Sequence, residues 1–96
     1  MKTAYIIGNI TVIDQDKWAE YRSKVPATLT PWEGELVFRG KQLQVLGGNY
    51  QHTDCVVIRF PNMDALNNWF NSDAYQALIP IREQAAKMDL ISYQSE

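Results

Sequence analysis

The sequence predicts an α+β fold of the ferredoxin-like, split βαβ kind, with two broken helices on one face of an antiparallel sheet. Three observations predict it. Two segments carry apolar residues at helical spacing, one in each half of the chain. Runs rich in β-branched residues flank and separate them, giving the order β-α-β-β-β-α-β. The strongest apolar run, CVVIRF at 55–60, lies between the two helical segments and is bounded by turn signals. With 96 residues the chain fits a single domain, 1–96.

Taken in order, TAYIIGNITVI at 3–13 reads as the first strand. One of its faces carries Ala4, Ile6, Gly8, Ile10 and Val12, the other Tyr5, Ile7, Asn9, Thr11 and Ile13. Asp14 is placed to cap the following helix, with Asp16 in the first turn where the dipole favours an acid. Trp18, Tyr21, Val25, Leu29 and Trp32 then recur at three- and four-residue steps. Pro26 and Pro31 interrupt that stripe. A proline in a helix interior removes a hydrogen bond and clashes with the preceding turn, so the regular helix is expected to end near Ser23.

Gly34 opens the next unit. Residues 35–39 and 43–46 read as two short strands about a Gly-Lys-Gln turn, and GGNYQHTD as a polar loop. After the strand at 55–60, Asn62 caps a helix whose buried stripe is Met63, Leu66, Trp69 and Phe70. Asn71 and Ser72 break it, Ser72 caps the next piece, and Pro80 forces a kink or a restart. Residues 90–93 form the last strand.

Net charge is −2 and Lys and Arg are scattered, which excludes a nucleic-acid footprint. No apolar run approaches the ~20 residues that cross a bilayer. MKTAYIIGNITVID begins like a signal peptide. Asn9 and Thr11 interrupt its apolar run and no small-x-small cleavage site follows, so a cytoplasmic location is expected. A single cysteine, Cys55, excludes an internal disulfide and a cysteine metal cluster. No glycine-rich phosphate loop and no H-E-x-x-H occurs, so neither cofactor nor metal is expected.

If helices cover one face of the sheet, the other should be polar. It only partly is: Tyr5, Ile7 and Ile13 oppose Ala4, Ile6 and Ile10 in the first strand, Cys55 and Val57 oppose Val56, Ile58 and Phe60 in the strongest, and both sides are too apolar for open water. Such a patch marks an interface or a ligand groove. A homodimer joined through the sheet face is the expected assembly, closed twofold dimers being the commonest oligomers.

The blocks AYIIGNITV, EYRSKVP, VFRGKQLQVLGG, VVIRFPNMDAL and SDAYQALIPIRE together resemble the DUF1330 family of the dimeric α+β barrel superfamily. The resemblance spans nearly the whole chain. It implies a ferredoxin-like protomer and a dimer whose sheets face each other as a barrel. For activity it implies a range: cofactor-free monooxygenases, haem-degrading monooxygenases, muconolactone-isomerase-like enzymes and non-enzymatic stress proteins. Fold alone does not choose among them. Asn68-Trp69 matches part of the haem-degrading Asn-Trp-His set, but no histidine follows in that helix.

Six residues are candidates for a ligand site. Arg59 stands on the uncovered face, where a charge needs a counter-ion or a ligand anion. Arg82 resembles the family's P-x-R arginine and suits an anion or a ring hydroxyl. Tyr75 lies two turns before it on the same helical face. Tyr21 belongs to the buried stripe, where its hydroxyl needs a partner. Asn9 is an amide in an apolar strand and Trp69 a large ring over the sheet. His52, the lone histidine, reads as a solvated loop residue, and Cys55 as a small buried one. The function expected is the binding of a small aromatic or anionic metabolite, with cofactor-free isomerase or monooxygenase chemistry. The alternative is a non-catalytic stress-response or interaction protein of the same fold.

Overall fold

A computed structural model describes residues 2–96. The order is β1 (Ala4–Val12), α1 (Gln15–Leu29), a 3-10 turn (Thr30–Trp32), β2 (Glu35–Lys41), β3 (Asp54–Phe60), α2 (Met63–Phe70), α3 (Asp73–Gln76), α4 (Ile79–Ala85) and β4 (Ala86–Gln94). The described strands make one sheet of order β2-β3-β1-β4, with every neighbouring pair antiparallel. This is the ferredoxin-like βαββαβ fold, its second helix broken into three pieces.

The breaks follow from side-chain chemistry. Asp14 accepts from the Lys17 N–H at 3.1 Å and starts α1. Asn62 accepts from Ala65 N–H at 2.8 Å and starts α2. Ser72 accepts from Tyr75 N–H at 3.2 Å and donates to the Trp69 carbonyl at 2.6 Å, so it closes one helix while opening the next. Pro80 sits in the first turn of α4, where its missing N–H is no loss.

Three expectations are corrected. The first helix does not stop near Ser23; α1 runs through Pro26 to Leu29. The proline costs the Arg22 carbonyl its helical partner, but Arg22 and Pro26 both lie on the exposed side, where water can serve. The turn beyond is held by packing: Thr28 donates to the Val25 carbonyl at 2.6 Å and accepts from Trp69 Nε1 at 3.0 Å. Nor do residues 43–46 form a strand. Gly40 and Lys41 stay in β2 opposite Cys55 and Asp54, and Gln42 N–H meets the Thr53 carbonyl at 2.6 Å. The chain then leaves the ladder as a loop, with Leu43 and Leu46 almost fully exposed. The last strand is longer than expected because β1 offers a partner along its whole length, from Ala4↔Gln94 to Val12↔Ala86.

The core lies between the helices and one face of the sheet. Ala4, Ile6 and Ile10 of β1 and Val56, Ile58 and Phe60 of β3 meet Trp18, Tyr21, Leu29, Leu66, Trp69, Tyr75 and Leu78. Rings run through it without a gap, from Phe60 to Trp69 (5.4 Å), Tyr75 (4.2 Å), Tyr21 (6.5 Å) and Trp18 (5.5 Å). The opposite face carries an apolar row, Phe38, Val57, Ile7 and Ile91, one residue from each strand in register. Phe38 joins this row through a bulge between Leu36 and Phe38 on the edge strand β2.

Candidate functional site

The polar candidates fall into three places. The first lies under the helices. Tyr21 on α1 and Tyr75 on α3 share a hydrogen bond of 2.9 Å between their hydroxyls. Arg82 on α4 donates from Nη1 to the Tyr75 hydroxyl at 2.8 Å. The helix breaks build this arrangement: the Ser72 cap fixes Tyr75, and the restart at Ile79 brings Arg82 round to the same side. Tyr75 is fully buried. Trp69 packs on Tyr75, and its indole N–H is bonded to Thr28. Burial, and next the neighbouring Tyr75, push the Tyr21 phenol well above its usual range, so it stays protonated.

Beside Tyr21 a gap of about 30 Å³ opens between α1 and the sheet, walled by Trp18, Tyr21, Trp69, Val56, Ile58 and Leu90. Gly8 lets two of its walls, Val56 and Leu90, pack close over β1. A Cβ there would stand 2.9 Å from Val56 Cγ1 and 3.5 Å from Leu90 Cδ1. The gap shares Trp18, Arg22 and Arg39 with an outer cleft of about 350 Å³ that extends to Gln15, Lys41 and Asp54. Burial lowers the Arg39 pKa, and the charge of Arg22 lowers it further. Among the described residues, neither arginine takes part in an ion pair. Their convergence escapes local sequence patterns, because it depends on β2 running under α1.

The second place is the outer face of the sheet. Asn9 accepts from the Tyr50 hydroxyl at 2.7 Å. Near it His52 lies 2.7 Å from Asp89 through Nε2 and 3.0 Å from the Thr11 hydroxyl through Nδ1. Asn9, Tyr50, His52 and Asp89 line an open groove of about 560 Å³. This corrects the reading of His52 as a solvated loop residue: its side chain is only 16% exposed. The Thr53 N–H bonds the Ile10 carbonyl at 2.9 Å, which lays the end of the loop across β1. Only the pairing of β1 with β4 brings Asp89 within reach, so nothing around His52 in the sequence announces it.

Arg59 stands apart. It pairs with Glu35 across β2 and β3, both side chains about half exposed, at the rim of a shallow depression. Exposed pairs of this kind contribute ~0–1 kcal/mol. The structure thus unites Tyr21, Trp69, Tyr75 and Arg82, leaves Asn9 on the opposite face, and separates Arg59 from both. Cys55 is a half-buried free thiol. Among the described residues, no three His, Cys, Asp or Glu converge as metal ligands, and no helix is long and apolar enough to cross a membrane.

Fold and site define an α+β protein of the ferredoxin-like class with an aromatic gap between helix and sheet. The particular family follows from the chain itself. Residues 3–94 match the family described as Domain of unknown function (DUF1330), and the protein belongs to it. No curated protein matches the chain. Solved structures do. A protein of unknown function from Rhodopseudomonas palustris aligns with TM-score 0.81 at 14% identity, over 98% of this chain and 82% of that one. SnoaB, a cofactor-independent oxygenase from Streptomyces nogalater, aligns with TM-score 0.72 at 7% identity, over 100% and 95%. A dimeric ferredoxin-like protein of unknown function from Thermobifida fusca aligns with TM-score 0.63 at 15% identity, over 98% and 90%. Identities this low establish the fold and nothing finer.

Proposed function

We propose that the protein is a homodimer that binds a small aromatic anion in the cleft between α1 and the sheet. The observation that carries this reading is the pair Arg22 and Arg39. Among the described residues neither is in an ion pair, and Asp54 in the same cleft is paired with Lys41. The two cations therefore repel each other, and an anion between them removes that repulsion. Guanidinium groups bind carboxylates through paired, charge-assisted hydrogen bonds. Trp18, Tyr21 and Trp69 beside them suit a ring. The outer cleft, at about 350 Å³, falls in the size range of small-ligand sites. A carboxylate at the mouth would then direct a ring substituent into the inner gap.

The apolar row Phe38, Val57, Ile7 and Ile91 supports pairing of two sheets in a dimer, and the Thermobifida fusca protein of this fold is described as dimeric. Cofactor-free oxygenation or proton transfer is the chemistry in keeping with the site, and SnoaB supplies an example of the first on this fold. The rival reading, a non-catalytic interaction protein, draws on the small size of the inner gap.

Calorimetry with benzoate, salicylate and uncharged benzamide tests the cleft. Both acids should saturate the wild type, and Arg22→Ala or Arg39→Ala should each weaken them about tenfold. Benzamide should bind far less. Acid binding that survives loss of both arginines would sink the proposal.

A further inference from the structure

The hydroxyls under the helices can be counted proton by proton. Arg82 has only N–H donors, so Tyr75 must accept from it. Tyr75 and Tyr21 then share one hydrogen bond but own two protons. If Tyr21 gave its proton to Tyr75, the proton of the fully buried Tyr75 would find no acceptor among the described residues. A buried donor left so is costly. Either direction leaves one proton without a partner in the chain; running from Arg82 to Tyr75 to Tyr21 places it on the residue that walls the gap and can meet a ligand.

Chains of hydrogen bonds polarise one another. Arg82 joins no ion pair among the described residues, so its charge acts on the Tyr75 hydroxyl without a competing carboxylate. Tyr75 becomes a better donor to Tyr21, and Tyr21 a better donor to whatever meets it. The upward shift of the Tyr21 phenol keeps that donor protonated.

We propose that Arg82, Tyr75 and Tyr21 form a one-way donor relay that presents the Tyr21 proton to a phenolate or enolate oxygen of the ligand. Tyr21 touches the ligand; Tyr75 and Arg82 are positioning residues that act through it. The ligand class narrows to aromatic acids carrying an ionisable ring hydroxyl or an enol. Arg22 and Arg39 hold the carboxylate, and the relay stabilises the second oxygen as it loses its proton. The proton leaves to solvent, and the Tyr21 proton is shared with the oxyanion without being transferred. This rests on the helix–sheet cleft proposed above.

The probe 4-hydroxy-3-nitrobenzoate tests the relay, because it carries the carboxylate for Arg22 and Arg39 and its phenolate and phenol absorb differently. The bound probe should show a phenolate-to-phenol ratio about tenfold above that of the free probe at the same pH. Tyr21→Phe should abolish the increase. Tyr75→Phe keeps the ring packing but cuts the relay and should do the same. Arg82→Gln should lose most of the increase, and Arg82→Lys, which keeps a charge, should restore part of it. Circular dichroism of each variant confirms that it is folded. A bound ratio equal to that in water, or one unchanged in Arg82→Gln, overturns the relay. If benzoate still binds in an Arg39-dependent manner in that case, the cleft reading stands alone. If neither benzoate nor the probe binds, both fall.

Discussion

The two faces of the sheet hold their polar groups in opposite ways. Under the helices, Tyr21, Tyr75, Thr28 and the Trp69 indole are buried and bonded to one another. On the outer face, Asn9, Thr11, His52 and Asp89 stand at the rim of an apolar row and tie down a loop. A buried hydroxyl must find its partner inside the protein, so its geometry is fixed. A rim group can turn to water, so its bonds fasten without determining the fold. The difference separates a place suited to sensing charge on a ligand from a place suited to anchoring a chain segment.

The comparison can be broken most sharply through stability. Trp69→Ala should cost ~3–5 kcal/mol in urea unfolding, because it leaves a cavity in the core and removes the hydrogen bond that Thr28 accepts. A loss under ~1 kcal/mol would mean that the aromatic layer is loosely packed. Next is the outer row. Ile7→Glu should halve the mass found by light scattering, from twice to once the 11.0 kDa chain, with the fold retained. A wild type already at the single mass would refute pairing through this face. A smaller effect is expected at His52: His52→Ala should cost about 1 kcal/mol and speed hydrogen exchange at the Thr53 amide. Unchanged exchange would show that the clasp does not hold the loop.

A further effect, confined to alkaline pH, concerns Tyr21. The folded Tyr21 phenol is raised above its ordinary value of 10.0, so the folded state keeps its proton after the unfolded chain has lost it. Its stabilising share is complete below pH 10.0 and declines as pH rises beyond it. Tyr21→Phe should therefore flatten the alkaline fall in stability by up to about 1.4 kcal/mol per pH unit. Parallel curves for wild type and variant would show the hydroxyl to be in contact with water.

Much of this was legible in the sequence, and the rest was hidden for physical reasons. Asp14, Asn62 and Ser72 cap where they should, because caps are local chemistry. The alternation of β1 gave both faces of the sheet for the same reason. Pro26 misleads because tertiary packing around Thr28 and Trp69 outweighs a local penalty. Residues 43–46 mislead because a strand needs a partner, and the ladder had already passed them by. Tyr21, Tyr75 and Arg82 were all candidates, but only the folded chain joins them into one line. Arg39 and His52 depend on strand pairing over long separations, which a local pattern does not encode.

The bulge in β2 has one more consequence. That strand is an edge, with a row of backbone groups free to recruit a foreign strand, and Leu36, Val37 and Phe38 there are about half exposed. Flat apolar edges of this kind are templates for fibril growth. The irregularity at 36–38 interrupts the straight ladder, and Arg39 and Lys41 set charges beside it. The same kink that turns Phe38 toward the outer row thus also guards the chain against aggregation.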